Sequence, residues 1–372
     1  MKIAIDIQPA IAQRAGVGRY TKSLVEHIGH CKGADDEIQL CFFDFKKQGL
    51  PFEVPGAQFR RTGWCPGRVV QKSWKMFDWP PYTWFSGSAD VFHFPNFVIP
   101  PTPHGRKLVT IHDVSFLRFP EAAEPKNLRF LNQKIHQTIE RADLILTDSM
   151  FSAQEMQELL HVPADRIRAI HLGLDPMKTR PEEEEIRRMR SQFGLNKPYL
   201  LFVSTIEPRK NIPFLIESFE HLEEFDGELV LCGMPGWKYE PILDRIQQSS
   251  RVKSIRYLQY VEDSWMPALY AAAECFVFPS LYEGFGFPPL EAMQHGTPVL
   301  SSRSGSLPEV LGTAARYAEI DDPAVWAAAT WEILTDTEEQ QHLRTAGLAH
   351  VQKFDWMQTA RQTWQAYCEA AL

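Results

Sequence analysis

Short apolar segments alternate with helical segments along almost the whole chain, and this order is the strongest constraint on its fold. It is typical of α/β proteins, in which parallel strands form a sheet covered by helices. We therefore predict doubly wound parallel sheets. The predicted strands are Lys2–Ile7, Ile38–Phe43, Val91–Phe94, Lys107–Ile111, Leu144–Thr147, Tyr199–Val203, Glu228–Cys232, Ile255–Tyr257, Cys275–Phe278 and Val299–Ser301. The predicted helices are Gly18–His30, Lys126–Arg141, Ser152–Leu160, Thr179–Arg190, Ile212–Phe219 and Met357–Ala371.

The composition limits the class of protein. A chain of 372 residues is longer than one hydrophobic core usually supports, so two domains are expected. The formal net charge of −8 argues against nucleic acid as a main partner. The six cysteines form no C-x-x-C pair, which indicates reduced thiols in a cytosolic protein. Because residues 1–6 resemble a strand and no apolar run reaches ~20 residues, we expect neither a signal peptide nor a membrane span.

Two carboxylates bracket a glycine-containing turn in the second half of the chain. Glu283 precedes Phe285-Gly286-Phe287, and Glu291 follows two prolines that suit the first turn of a helix. The backbone N–H groups of this turn and the positive helix end would form an anion site, with a carboxylate on either side to hold hydroxyls. That combination suits a nucleotide sugar. Alternatively, the turn only shapes a loop, and Glu291, placed within the first helical turn, only complements the helix dipole.

A second segment of the same kind lies upstream. The turn from Ser204 to Asn211 follows an apolar strand and precedes a helix, and it contains the adjacent cations Arg209 and Lys210. Cations at a strand-to-helix junction favour phosphate binding, because the helix N-terminus already attracts anions. The alternative is a solvated surface pair. Two phosphate-type turns in one α/β segment favour the functional interpretation.

Polar residues also follow two predicted strands of the first half. His112 and Asp113 end one strand, where ligands gather in open α/β sheets. His112 could donate to a sugar hydroxyl or carry a proton, and Asp113 could orient it. Asp148 and Ser149 follow the next strand, and they either cap the helix that begins near Phe151 or contact an acceptor.

Gly16 and Gly18 are not a dinucleotide fingerprint. That motif needs its first glycine directly after a strand and a third glycine three residues after the second. Here residues 8–15 intervene, and position 21 is threonine. A glycine loop over a binding cleft is the better interpretation.

Taken together, these segments resemble the retaining glycosyltransferases of family 4, which have the GT-B fold, and in particular their mannosyltransferase-like branch. The resemblance covers nearly the whole chain. Its E-x7-E pattern is Glu283 and Glu291. The other matching segments are Gly16–Tyr20, Ile111–Val114, Thr147–Ser149, Pro208–Asn211, Gly296–Val299, Leu307–Val310 and Phe354–Trp356, with Ala360, Thr363 and Tyr367.

The resemblance implies two Rossmann-like domains facing a central cleft. Residues 1–175 would bind the acceptor and residues 195–355 the donor, while a last helix, about 357–372, would pack back on the first domain. Gly16 would approach the donor phosphate, and His112 would lie against the donor sugar. The family often has a further arginine early in the phosphate turn. Here Ser204-Thr205-Ile206 contains no cation, which leaves the guanidinium role to Arg209.

The implied reaction is transfer of a hexose, most simply mannose from GDP-mannose, to a glycan or lipid-linked glycan with retention of configuration. His112, Arg209, Lys210 and Glu283 would be catalytic. Donor binding would involve Gly16, Gly18, Ser204, Phe285, Gly286, Phe287 and Glu291, with Tyr260 and Val261 near the base. No Asp-x-Asp motif occurs, so neither a metal nor another cofactor is expected. A UDP-sugar transferase of the same fold and a non-catalytic nucleotide-sugar-binding subunit remain alternatives.

Aromatic and basic residues are interleaved between residues 64 and 85. They are Trp64, Arg68, Lys72, Trp74, Lys75, Phe77, Trp79, Tyr82, Trp84 and Phe85. Such a mixture suits an acceptor platform or contact with a membrane surface, but it also suits the packing of irregular core segments. The charged run Glu182–Arg190 indicates only a solvated helix.

Overall fold

The computed structural model describes residues 1–12, 16–50, 52–54, 56–122, 125–177 and 179–372. The chain divides into two compact units. The first unit comprises Met1–Leu117, Lys126–Asp175 and Phe354–Leu372. The second comprises Arg118–Pro125 and Pro176–Lys353. Residues 118–125 thus group with the second unit, although they lie within the range expected for the first domain.

The first unit is built on a parallel sheet of seven strands in the order β3-β2-β1-β4-β5-β6-β7. Its strands are β1 (Lys2–Asp6), β2 (Glu37–Phe43), β3 (Gln58–Thr62), β4 (Val91–Phe94), β5 (Arg106–Thr110), β6 (Leu144–Thr147) and β7 (Ile167–Ala169). The strand order reverses beside β1, where ligands bind in doubly wound sheets.

The second unit contains a parallel sheet of six strands in the order β10-β9-β8-β11-β12-β13. Its strands are β8 (Tyr199–Val203), β9 (Glu228–Cys232), β10 (Ile255–Gln259), β11 (Cys275–Phe278), β12 (Val299–Ser301) and β13 (Arg316–Tyr317). All described pairings in both sheets are parallel, which confirms the predicted fold class.

Helices follow most strands and cover the sheets. In chain order they are α1 (Gln8–Ala12), α2 (Val17–Ile28), α3 (Gly67–Phe77), α4 (Thr83–Ser86), α5 (Ser115–Arg118), α6 (Pro125–Arg141), α7 (Met150–Leu160), α8 (Glu183–Phe193), α9 (Ile212–Glu220), α10 (Glu240–Gln247), α11 (Met266–Ala271), α12 (Phe287–Gln294), α13 (Leu307–Leu311), α14 (Pro323–Thr335), α15 (Thr337–His350) and α16 (Trp356–Ala371). Among the described residues, none of these helices is long and apolar enough to cross a membrane.

The last helix, α16, belongs to the first unit. Its Trp356 donates from Nε1 to Asp175 Oδ1 over 2.9 Å, and a Cβ on Gly173 would lie 2.3 Å from the Trp356 nitrogen. Further along, the Tyr367 hydroxyl lies 2.7 Å from Nδ1 of the fully buried His93 on β4. The end of the chain is thereby tied to the centre of the first sheet.

Candidate active site

The phosphate-type turn of the second unit lies at the carboxyl end of β8. Pro208–Lys210 forms a single 3-10 turn, and Asn211 then adopts a left-handed conformation, φ 56°, before α9 begins. Asparagine tolerates that conformation better than most residues. Ser204 passes so close to Gly233 that a Cβ there would lie 1.7 Å from the Ser204 carbonyl oxygen. The turn is therefore held against the end of β9.

Lys210 and Glu283 form a buried ion pair between the two segments identified in the sequence. Lys210 Nζ lies 2.6 Å from Glu283 Oε1, and the side chains are only 7% and 9% exposed. Arg209 Nη1 lies 3.3 Å from Glu283 Oε2, and Ser280 Oγ donates to Glu283 Oε1 over 2.6 Å. One carboxylate is thus held by two cations and a hydroxyl.

The electrostatic environment keeps Glu283 ionised. Burial raises the pKa of its carboxyl, but the charges of Lys210 and Arg209 and the hydrogen bonds from Lys210 and Ser280 outweigh burial and lower the pKa. For Lys210, burial lowers the pKa. The charge of Glu283 raises it, but burial has the larger effect. Such a desolvated cluster of opposite charges is a candidate functional site.

Arg209 has further partners that hold its guanidinium in place. Nη1 donates to the Tyr282 carbonyl over 2.6 Å, and Nη2 donates to Glu207 Oε1 over 2.8 Å. The sequence interpretation did not single out Glu207 or Ser280. Because Ser280 lies only three residues before Glu283, its contact with that carboxylate could have been predicted from the spacing.

A close approach of two loops fixes the main chain at Glu283. Gly305 has φ +63°, and a Cβ there would lie 2.6 Å from both the nitrogen and the oxygen of Glu283. The nitrogen of Ser306 donates to the Glu283 carbonyl over 3.0 Å. A side chain larger than hydrogen at position 305 would displace Glu283.

Glu291 lies one turn deeper in its helix than predicted. Helix α12 begins at Phe287, with Gly286 at its N-cap in a left-handed conformation, so Glu291 is the fifth helical residue. The placement of Glu291 in the first turn is therefore wrong, because the helix already begins before the two prolines. The Tyr270 hydroxyl donates to Glu291 Oε2 over 2.8 Å.

Two groups of donor-site candidates remain, one in the turn before α12 and one at the end of β10. Phe285 is buried and its ring meets that of Phe287 edge to face, 5.3 Å between centroids. Tyr260 and Val261 follow β10, where Val261 is buried and Tyr260 is 56% exposed.

The first unit places His112 between two hydrogen-bond acceptors. Nδ1 lies 2.7 Å from Asp148 Oδ2, and Nε2 lies 3.2 Å from the Pro95 carbonyl oxygen. The suggestion that Asp113 orients His112 is wrong, because Asp113 accepts from its own turn, from the nitrogen of Ser115 at 3.0 Å. Asp148 follows β6 and His112 follows β5. Because β5 and β6 are adjacent in the sheet, Asp148 and His112 lie close together.

The neighbouring candidates of the first unit lie at the N-termini of two helices. Ser149 is the N-cap of α7 and accepts from the nitrogen of Ser152. Gly16 has φ 56° and precedes α2, and Gly18 is already inside that helix. The expected glycine loop is therefore mostly helix, and its preceding part, residues 13–15, lies outside the described residues.

A chain of buried polar groups lies behind His112. The Tyr20 ring meets the imidazole edge to face at 4.9 Å, and its hydroxyl lies 3.0 Å from Thr110 Oγ1. Thr110 Oγ1 in turn lies 2.9 Å from Nε2 of His93. Burial lowers the pKa of His93 to about 3, so this ring is neutral. Sequence spacing did not reveal these contacts.

No cluster of three or more histidine, cysteine or acidic side chains that could hold a metal ion occurs among the described residues.

Comparison with known proteins identifies the family. The model of the family described as "Glycosyl transferases group 1" matches residues 183–350, which contain both phosphate-type turns. A curated relative from Escherichia coli, O-antigen chain mannosyltransferase B, is 31% identical over 99% of each chain.

The chain belongs to the group 1 glycosyltransferases.

Other proteins extend the likeness at lower coverage or identity. The serotype-specific mannosyltransferase WbdA of Escherichia coli is 32% identical over 64% of this chain and 30% of its own length. Sucrose-phosphate synthase from Thermosynechococcus elongatus superposes with a TM-score of 0.73 at 20% identity, over 99% of this glycosyltransferase and 98% of the synthase. Anabaena HepE, solved in complex with UDP and glucose, superposes with a TM-score of 0.74 at 17% identity, over 99% of this chain and 100% of HepE. These structures show the GT-B fold alone.

The protein is thus a glycosyltransferase, a hexosyltransferase of glycan biosynthesis.

Proposed function

We propose that this glycosyltransferase moves mannose from GDP-mannose to a glycan or lipid-linked glycan, with retention at the anomeric carbon. The mannosyl specificity is supported by the Escherichia coli relative named a mannosyltransferase, which aligns over 99% of both chains. The single structural observation behind the donor site is the buried cluster of Arg209, Lys210 and Glu283.

In this proposal Arg209 and Lys210 bind the diphosphate. Their charges compensate the negative charge that grows on the leaving phosphate as the bond to the sugar breaks. The N-terminus of α12 adds roughly half a positive charge, which also stabilises the leaving phosphate. Glu283, held within reach of both cations, contacts the transferred sugar. Glu291 binds the ribose hydroxyls, with Tyr270 fixing its carboxylate.

In the single-step route to retention that we propose, the acceptor attacks the face of the sugar from which the phosphate departs. The bond between C1 and the phosphate oxygen breaks as the acceptor oxygen bonds to C1, and the acceptor proton passes to the departing phosphate. The cations that stabilise the phosphate therefore also control its basicity. No side chain has to act as a nucleophile in this scheme.

In this proposal the first unit binds the acceptor, and His112 lies against the donor sugar while its ring nitrogens remain bonded to Asp148 and Pro95. A lipid-linked glycan acceptor would place the enzyme at the cytoplasmic face of a membrane, in peripheral contact with it.

Nucleotide binding tests the donor. Isothermal titration with GDP, UDP and ADP should rank GDP tightest, and GDP-mannose at 100 times its Kd should stabilise the protein by about 2.7 kcal/mol. The product formed from GDP-mannose should have the α configuration of the donor, as read from the anomeric proton by NMR. If UDP binds tenfold more tightly than GDP, a difference of about 1.4 kcal/mol, the donor is a UDP-sugar rather than GDP-mannose. The proposed phosphate site would not be affected by that result.

A further inference from the structure

Large apolar side chains are concentrated on one exposed segment of the first unit. We call residues 64–84 the aromatic segment. Of the fifteen exposed large apolar side chains among the described residues, six lie within it. They are Trp64 (70% exposed), Val69 (62%), Met76 (61%), Phe77 (71%), Trp79 (55%) and Trp84 (56%). Scattered single residues of this kind are normal, but a cluster marks an interaction surface.

The segment has a buried side that anchors it. On α3, Val70 and Trp74 are buried, and Trp74 Nε1 donates to the Pro80 carbonyl over 2.7 Å. The ring of Phe85 packs against Trp74, 6.0 Å between centroids. The core-packing interpretation is therefore correct for Trp74, Tyr82 and Phe85, which are all buried.

The opposite side of α3 carries both cations and apolar groups. At about 100° per residue, Arg68, Val69, Lys72, Lys75 and Met76 project into the half of the helix turned away from Val70 and Trp74. All five are exposed. Beside α3, the rings of Trp79 and Trp84 meet edge to face at 5.1 Å, and Trp64 stacks on Phe85 at 5.7 Å.

The charge on β3 and α3 is of one sign, and the carboxylate that follows them, Asp78, forms an ion pair with Arg141. Residues 58–77 contain five cations and no carboxylate, although the whole chain has 39 basic and 47 acidic residues. Two of the cations, Arg60 and Arg61, contact the Phe85 carbonyl and Asp44. Lys75 Nζ lies 4.1 Å from the centroid of the Phe130 ring, and the Lys75 side chain is exposed. A basic surface on an acidic protein indicates an anionic partner.

We propose that the outer face of α3, with Trp64, Trp79 and Trp84, rests on a lipid bilayer that contains anionic headgroups. Tryptophan suits the boundary between headgroups and acyl chains because one end of the ring is apolar and the other can hydrogen-bond. Lysine and arginine reach the lipid phosphates while apolar neighbours enter the boundary region. This inference deepens the proposed function, since a lipid-linked acceptor would lie in such a bilayer.

A second copy of the chain fits the surface less well. A two-fold interface centred on α3 would bring Arg68, Lys72 and Lys75 against the same three cations. An anionic bilayer neutralises them instead.

Vesicle binding tests the surface. The full-length protein should sediment with vesicles of phosphatidylcholine mixed with phosphatidylglycerol, and much less with phosphatidylcholine alone. Because each cation near an anionic surface contributes roughly fivefold, Lys72→Gln/Lys75→Gln should bind about twenty-five-fold more weakly. The triple variant Val69→Ser/Met76→Ser/Phe77→Ser should also lose binding, but its residual binding should keep the preference for phosphatidylglycerol.

Matched controls lie on the second unit. Arg188→Gln/Lys253→Gln removes two exposed cations, and Val325→Ser/Leu348→Ser removes two exposed apolar groups. Both should bind vesicles as the unmodified protein does. GDP titration of each variant verifies folding, since none of these residues contacts the donor cluster.

Two results would overturn the proposal. One is equal vesicle binding by the Lys72/Lys75 variant and its control. The other is that the unmodified protein sediments as a dimer and does not bind vesicles, while the Val69/Met76/Phe77 variant sediments as a monomer. That result would make the surface a contact between two copies of the chain. Vesicle binding without any GDP binding would instead contradict the donor assignment and leave the surface intact.

Discussion

His112 and Asp148, at the ends of adjacent strands, form a partly buried pair in which Nδ1 and Oδ2 are 2.7 Å apart. The imidazole is 20% exposed and the carboxylate 6%. Because the second ring nitrogen faces the Pro95 carbonyl, both nitrogens have acceptors, and only a doubly protonated ring donates to both. This geometry therefore favours a protonated His112 over a ring with a free basic nitrogen.

Several charges act on this ring together. Burial lowers the pKa of His112, but the charge and hydrogen bond of Asp148, the Pro95 carbonyl and the charge of Asp113 raise it above the ordinary value. For Asp148, burial raises the pKa more than His112 lowers it. Of the other groups nearby, His93 is neutral, and the hydroxyl of Tyr20 is directed to Thr110.

Asp148→Asn should lower the pKa of His112. A hydrogen bond to a charged group contributes about 1.5–3 kcal/mol, so the ratio of imidazolium to neutral imidazole at a given pH should fall roughly tenfold to a hundredfold. Ring nitrogen shifts in ¹⁵N-histidine NMR, assigned with His112→Gln, measure the charge state directly. Asp113→Asn is the control and should lower the pKa much less, because its carboxylate does not bond to the ring. A neutral His112 at pH 7 in the unmodified protein would contradict the assignment.

The same pair should make stability depend on pH. The folded-state pKa of His112 lies above the unfolded value, so its stabilisation is complete below about pH 6.5 and is lost as pH rises through the folded pKa. Denaturant unfolding at several pH values above 6.5 should show this decline in the unmodified protein. Asp148→Asn should flatten the curve over that range, and an unchanged slope would exclude His112 as its origin.

Removing one partner of the Lys210–Glu283 pair should destabilise the second unit. Lys210→Met leaves a buried carboxylate without its main cation, which typically costs about 3–5 kcal/mol. The double variant Lys210→Met/Glu283→Gln should recover part of that loss, as measured by denaturant unfolding without nucleotide. Lys197→Met is the matched control, because its pair with Asp226 is exposed and contributes about 0–1 kcal/mol. Equal effects of the two lysine substitutions would show that burial of the pair is unimportant.

Glu283 and Glu291 should affect different kinetic constants. Glu283→Ala should lower kcat, because Glu283 contacts the reacting sugar in the proposed site, whereas Glu291→Ala should chiefly raise the donor KM. Tyr270→Phe should raise the donor KM roughly fivefold through the loss of one hydrogen bond. Tyr317→Phe, which removes a hydroxyl bonded to the Gly312 carbonyl, is the control. If Tyr270→Phe and Tyr317→Phe have the same kinetics, Tyr270 does not position Glu291.

Transfer should survive excess EDTA. In the proposed site, Arg209 and Lys210 supply the positive charge that a divalent ion supplies in other transferases, so chelation should leave the rate unchanged. Lys210→Ala should lower kcat/KM at least about a hundredfold, the equivalent of one strong phosphate interaction near 3 kcal/mol. Loss of activity with EDTA and recovery with Mn²⁺ or Mg²⁺ would contradict the proposal.

The sequence alone determined the fold class and most central strands. Val91–Phe94, Leu144–Thr147, Tyr199–Val203, Glu228–Cys232 and Cys275–Phe278 have the predicted bounds, because continuous apolar runs in a parallel sheet are buried on both faces. The strands that the prediction missed lie toward the edges. β3 has mostly exposed residues, β7 has only three residues and β13 only two, so the hydrophobic pattern could not reveal them.

The two phosphate-type turns were also evident in the sequence, since glycine, proline and basic residues at a strand-to-helix junction follow local rules. Only the tertiary structure decided which side chains meet. Lys210 and Glu283 are 73 residues apart, and His112 and Asp148 are 36 apart. Tyr270 reaches Glu291 from another helix. These pairs depend on the strand order and on how the helices pack, and local spacing along the chain contains neither.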